Sequence, residues 1–108
     1  MSFKKYCAKL DGKKVVPLDN MEEWALSQAQ NKTVLKTKIH QGAVEVSTVF
    51  LGLNHGSCGK DLWFETMVFG CDNDILERYE TWEEAEKGHW EIFDKMIGMK
   101  LVTRLCNE

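Results

Sequence analysis

The sequence predicts an α+β fold: an antiparallel β-sheet of about four to six strands with two helices packed on it. Three observations predict it. Asp11-Gly12 between two short β-type runs marks a tight hairpin. Residues 43–53 (AVEVSTVFLGL) and 62–70 (LWFETMVFG) flank a glycine-containing loop, as two paired strands do. Thr81-Trp-Glu-Glu84 has the form of a capping box and opens a stretch with apolar residues at helical spacing.

The elements follow in order. Residues 3–9 and 13–16 are the arms of the hairpin, and Pro17, which has no N–H to donate, ends its pairing. Asn20 stands at an N-cap, with Glu23 three residues on to reach back. Met21, Trp24, Ala25 and Gln28 share a face, which predicts a helix from 21 to about 30. The β-branched run 33–39 (TVLKTKI) is a strand, and Gly42 marks the turn after it. In 43–53, Val44, Val46, Thr48 and Phe50 lie on one side and Glu45, Ser47, Val49 and Leu51 on the other. Both sides turn apolar toward the end, the pattern of a central strand. Loop 54–59, strand 62–70 and a shorter strand at 75–79 come next. The second helix starts at the capping box, with Trp82, Ala85, His89, Phe93 and Met96 on one face. Gly98 ends it, and LVTRL at 101–105 adds an edge strand.

A chain of 108 residues with 44% hydrophobic and 29% charged residues is read as one ordinary domain, residues 1–108. Its longest apolar run, VFLGL at 49–53, is far too short to span a bilayer. The first residues, MSFKKYCAKLDGKK, lack a signal-peptide core, so the expected compartment is a reducing cytoplasm. There the four Cys are thiols or metal ligands rather than disulfides. The net charge of −3 is unevenly spread: residues 1–40 carry +4 and residues 41–108 carry −7. Such a split favours an oriented encounter with a partner. The lysines are scattered, without Arg or interleaved aromatics nearby, so direct nucleic-acid binding is not expected.

His55, Cys58, Cys71 and His89 have the chemistry of a tetrahedral Zn²⁺ site, two imidazoles and two thiolates. Their convergence would staple a loop, a strand end and a helix. One geometric fact opposes the full set. Cys71 follows the strand at the end away from the 54–59 loop, about 30 Å from it at ~3.3 Å per residue. Glu65, mid-strand, is nearer in level and stands as an alternative ligand. The chain has no phosphate-binding loop, HExxH or GxSxG, so no reaction is legible. Of the four tryptophans, Trp24, Trp63 and Trp82 suit a core, whereas Trp90 lies off the apolar stripe and suits a contact anchor.

Three stretches together resemble a known family. They are Val46-Ser-Thr-Val-Phe-Leu-Gly-Leu-Asn-His55, Phe64-Glu-Thr-Met-Val-Phe-Gly70, and Glu77-Arg-Tyr-Glu-Thr-Trp-Glu-Glu-Ala-Glu-Lys-Gly-His89. The block, spanning roughly residues 17–95, is similar to a widespread family of small phage and prophage proteins. The match includes His55, Glu65 and His89, while Cys58 and Cys71 stand where family members often carry other residues. The resemblance implies a phage-encoded inhibitor of host defence, of the anti-CRISPR kind. On this expectation the protein is a non-enzymatic binding protein, stapled by structural zinc at His55, Cys58, Cys71 and His89. It engages a basic groove of a host defence protein such as a CRISPR nuclease through Glu83, Glu84, Glu86, Trp90 and Glu91. The alternatives are a small metal-dependent hydrolase using His55, Glu65 and His89, and a metal-free phage accessory protein.

Overall fold

A computed structural model describes residues 6–56, 59–70 and 75–107, with 98–107 as helical backbone. The order of elements is β1 (Ala8–Asp11), β2 (Lys14–Pro17), α1 (Met21–Ser27), β3 (Thr33–Ile39), β4 (Val44–Phe50), β5 (Phe64–Phe69), β6 (Leu76–Tyr79) and α2 (Trp82–Asn107). The fold is α+β, as expected, with its strands in two antiparallel sheets. β1 and β2 form a hairpin, and β3-β4-β5-β6 form a four-stranded meander. Among the described residues no helix is long and apolar enough to cross a membrane.

The hairpin turn is displaced by one residue from the sequence expectation. Asp11 pairs with Lys14, so Gly12 and Lys13 occupy the turn. Gly12 has φ +63°, a left-handed conformation that glycine adopts at little steric cost. Pro17 is the last residue of β2, paired with Ala8.

Asn20 caps α1: its side-chain oxygen accepts from the Glu23 N–H at 2.9 Å. The Glu23 carboxylate does not reach back. It binds Lys9 on β1 at 3.0 Å instead. α1 stops at Ser27, three residues short of expectation, and packs chiefly on β1 rather than on the main sheet. Ser27 is buried there and Trp24 partly so, with its indole N–H donating to the Gly52 carbonyl at 2.9 Å. Met21 and Ala25, expected on the same face as Trp24, are exposed. One short helix resting on a narrow hairpin has room for a single buried edge.

β4 is the central strand that its two-sided pattern predicted, pairing with β3 and β5. Val44, Val46, Thr48 and Phe50 point inward and are all buried. They meet Phe64, Thr66 and Val68 from β5 beneath α2. The core has two apolar clusters. One gathers Ile39, Val44, Val46, Val68, Ile92 and Met96. The other gathers Ala8, Phe50, Trp63, Phe64 and Ala85, with Trp82 and Tyr79 packed against it. Phe64 meets Phe50 and Trp82 edge-on at centroid distances of 5.4 and 6.2 Å, which suits aromatic quadrupoles.

Two expectations for the C-terminal part are corrected. α2 does not end at Gly98, and residues 101–105 are helical rather than an edge strand. One internal glycine costs a helix only about 1 kcal/mol relative to alanine, and no proline follows to enforce a stop. The buried stripe of α2 also differs slightly: Ile92 is buried and Phe93 is half-buried. Spacings of 3, 4, 3 and 4 from Trp82 through Ala85, His89 and Ile92 to Met96 follow a helical face more closely than a step to Phe93.

Candidate functional site

His89 sits between the two clusters with no solvent exposure. Its Nδ1 lies 2.7 Å from the Thr48 hydroxyl and its Nε2 lies 2.9 Å from the Thr37 hydroxyl. The Thr48 hydroxyl is also 2.5 Å from that of Thr66, its cross-strand partner. A polar chain thus runs from Thr66 on β5 through Thr48 on β4 to His89 on the helix and back to Thr37 on β3. Each neutral imidazole nitrogen has one role, donor or acceptor, and a hydroxyl can serve either. Burial lowers the pKa of His89 below the ordinary histidine value, because a charged ring would lose its hydration.

This arrangement does not fit His89 as a metal ligand, since both nitrogens already face hydroxyls and an ion would have to displace one. His55 lies elsewhere. It is exposed, and its N–H donates to the Leu62 carbonyl at 3.0 Å. Leu62 is four residues before Thr66, roughly 13 Å away at ~3.3 Å per residue. The loop owes its shape to Asn54, whose side-chain oxygen accepts from the Gly56 and Leu62 N–H groups at 2.8 and 3.0 Å. Cys58 and Cys71 lie outside the described residues. Among the described residues, no group of three or more His, Cys, Asp or Glu could hold a metal ion.

Glu65 is placed away from both histidines. It follows Phe64 and precedes Thr66, which point inward, so its side chain leaves the sheet on the opposite face from His89. There it accepts from the Arg78 guanidinium at 3.0 Å, across from it on β6. The sheet therefore separates Glu65 from His89, and the hydrolase set of His55, Glu65 and His89 does not come together. Thr48 beside an imidazole has the look of a nucleophile and its base. With Thr48, Thr66 and His89 all fully buried, no substrate reaches it, and its work is structural.

The residues of α2 expected to face a partner divide. The Glu84 carboxylate accepts from the N–H groups of Glu80 and Thr81 at 3.1 and 3.3 Å, while the Thr81 hydroxyl accepts from the Glu84 N–H at 3.1 Å. Glu84 is therefore committed to the cap predicted from the sequence. Glu91 lies on the flank facing β6, in a groove it shares with Tyr79 and Gly88. Glu83, Glu86, Trp90 and Asp94 are spaced 3, 4 and 4, a strip on another flank. Trp90 is 45% exposed in the middle of that strip, its ring edge-on to Phe93 at 5.3 Å and to His89 at 5.0 Å. Trp24, Trp63 and Trp82 are buried or partly buried, in line with the sequence reading.

Sequence reasoning missed the Tyr79–Gly88 contact. Tyr79 lies so close to α2 that a Cβ at residue 88 would come 2.2 Å from its ring. Burial pushes the Tyr79 phenol pKa up; Thr66 pulls it back, and Glu77 and Glu91 add to the rise. The phenol oxygen is shielded and makes no well-formed hydrogen bond, so Thr66 acts on it at long or poorly aligned range. The signal available in the sequence was a glycine inside an otherwise strong helix. No family model, curated protein or solved structure matches the chain.

Proposed function

We propose that this chain is a non-enzymatic binding protein, a phage-encoded inhibitor that docks α2 onto a basic groove of a host defence protein such as a CRISPR nuclease. The supporting observation is Trp90, an exposed aromatic on a rigid helix, within the acidic strip of Glu83, Glu86 and Asp94. A half-exposed tryptophan is the side chain that most often anchors an interface, and flanking carboxylates steer it to a cationic surface. The phage and anti-CRISPR parts of the reading come from the sequence resemblance. Zinc is not needed for it, because hydroxyls satisfy His89 and the helix is already fastened to the sheet.

The test is a CRISPR interference assay in cells that express the protein, with capture of the nuclease on the purified chain. The expected result is loss of interference, restored by Glu83→Lys with Glu86→Lys and by Trp90→Ala. Glu84 is left intact because it caps the helix. Interference that is unaffected by the wild-type chain for every nuclease tried, with no nuclease captured, would refute the proposal.

A further inference from the structure

The second flank of α2 and the edge strand beside it carry an independent inference. β6 ends the meander, and among the described residues no strand lies beyond it. The other end strand, β3, has an irregular register at Thr33/Leu35 and carries the exposed Lys36 and Lys38. Bulges and edge lysines are devices that discourage strand addition. β6 has a regular register and no lysine or proline. Between it and α2 runs a groove with two cavities of about 250 and 240 Å³. The groove includes Glu77, Tyr79, Lys87, Gly88, Glu91 and Lys95 in its lining.

We infer that a second copy of this chain covers this edge, β6 pairing antiparallel with β6 across a two-fold axis perpendicular to the sheet. Opposed residues of such a pair must lie on the same face. A register centred on Arg78 meets this rule: Glu77 then opposes Tyr79 of the second copy, and Arg78 opposes its own copy with each guanidinium offset by Glu65. The helix supplies the complementarity. Along the flank above β6 the charged residues run Glu84, Lys87, Glu91, Lys95, acid and base in alternation. Turned antiparallel about a point near His89, this series places Lys87 opposite Glu91 of the second copy and Lys95 opposite Glu84, whose capping bonds use one carboxylate oxygen only, each pairing occurring twice.

The two registers share one axis. Gly88 packs on Tyr79, and His89 joins Thr48 to the layer of Thr66, which pairs with Glu77. The midpoint of the helix series therefore stands level with Arg78. The result is a continuous eight-stranded sheet, four strands from each copy. The Trp90 strips of both helices stay uncovered on the same side. The inference does not depend on the proposed inhibitor role.

The experiment is sedimentation velocity with light scattering over a concentration series. Wild type is expected to approach twice the chain mass of 12.5 kDa. Lys87→Glu is expected to weaken the dimer about tenfold or more, and Lys87→Glu with Glu91→Lys to restore it. Near-UV circular dichroism checks that each variant is folded. A wild type that stays monomeric at every concentration overturns the inference. So does a dimer that ignores Lys87→Glu but is dispersed by Phe69→Glu on the opposite sheet face, or assembly beyond a dimer.

Discussion

The Nδ1 of His89 lies 2.7 Å from the Thr48 hydroxyl, and this contact ties the long helix to the central strand midway between the two apolar clusters. Removing the imidazole opens a cavity, leaves the Thr48 hydroxyl with Thr66 alone and takes the partner from the half-buried Thr37 hydroxyl. His89→Ala is expected to cost about 2–4 kcal/mol in urea unfolding. Thr48→Val alone is expected to cost about 1–2 kcal/mol, because it leaves one imidazole nitrogen without a partner. The double variant should cost less than the sum, by about 1 kcal/mol, since both changes remove the same bond. Strict additivity would show that the two groups are not coupled.

The same burial makes stability depend on pH. The folded-state pKa of His89 lies below its ordinary value of 6.5, so at intermediate pH the unfolded chain binds a proton that the folded chain does not. The contribution of His89 is therefore intact above pH 6.5. It is lost progressively as pH falls from 6.5 toward the folded-state pKa, with a slope of at most about 1.4 kcal/mol per pH unit. His89→Gln should flatten this region of the curve relative to the wild type. Denaturant midpoints measured between pH 8 and pH 4 (roughly the span over which histidines and carboxylates titrate) check this.

Much of this architecture is legible in the sequence. β3 to β6 declared themselves through alternation or β-branching, and Thr81-x-x-Glu84 declared the start of α2, because these signals are local. The parts that were not legible depend on distant partners. His89 on an apolar face and Thr48 on an inward strand face each looked like isolated polar residues in a core. Their pairing spans 41 positions and depends on the helix lying over β4 at one particular height. The metal reading arose from residue types within a short span of sequence. Strand geometry then separated His55 from His89 and placed Glu65 on the other face. Glu84 looked like part of an acidic surface, but the cap that it also signalled is where its carboxylate goes.

Gly88 faces a steric requirement rather than a conformational one. Alanine is the better helix former by about 1 kcal/mol, so on propensity alone Gly88→Ala would stabilise the protein. The Tyr79 ring reverses the sign, since the new Cβ would sit 2.2 Å from it and the ring is hemmed in by Phe64 and its neighbours. Gly88→Ala should lower stability by about 1–3 kcal/mol. In a Tyr79→Ala background the same substitution should become neutral or stabilising. Thermal melts of the four proteins in this cycle measure the reversal.

Trp90 separates recognition from stability. Its ring packs on Phe93 and His89 along one edge, yet 45% of the residue remains in solvent. Trp90→Ala should cost the free protein only about 1–2 kcal/mol, because nearly half of the residue is already in solvent and the rest packs at the helix surface on Phe93 and His89. If the strip of Glu83, Glu86, Trp90 and Asp94 is the docking face, the same change should weaken a captured complex by about 2 kcal/mol or more. Glu83→Lys with Glu86→Lys should act differently, slowing association and flattening its dependence on salt while leaving dissociation less affected. Surface plasmon resonance at two ionic strengths resolves the two signatures. A tryptophan variant whose melting temperature collapses while its residual binding is normal would reassign Trp90 to the core.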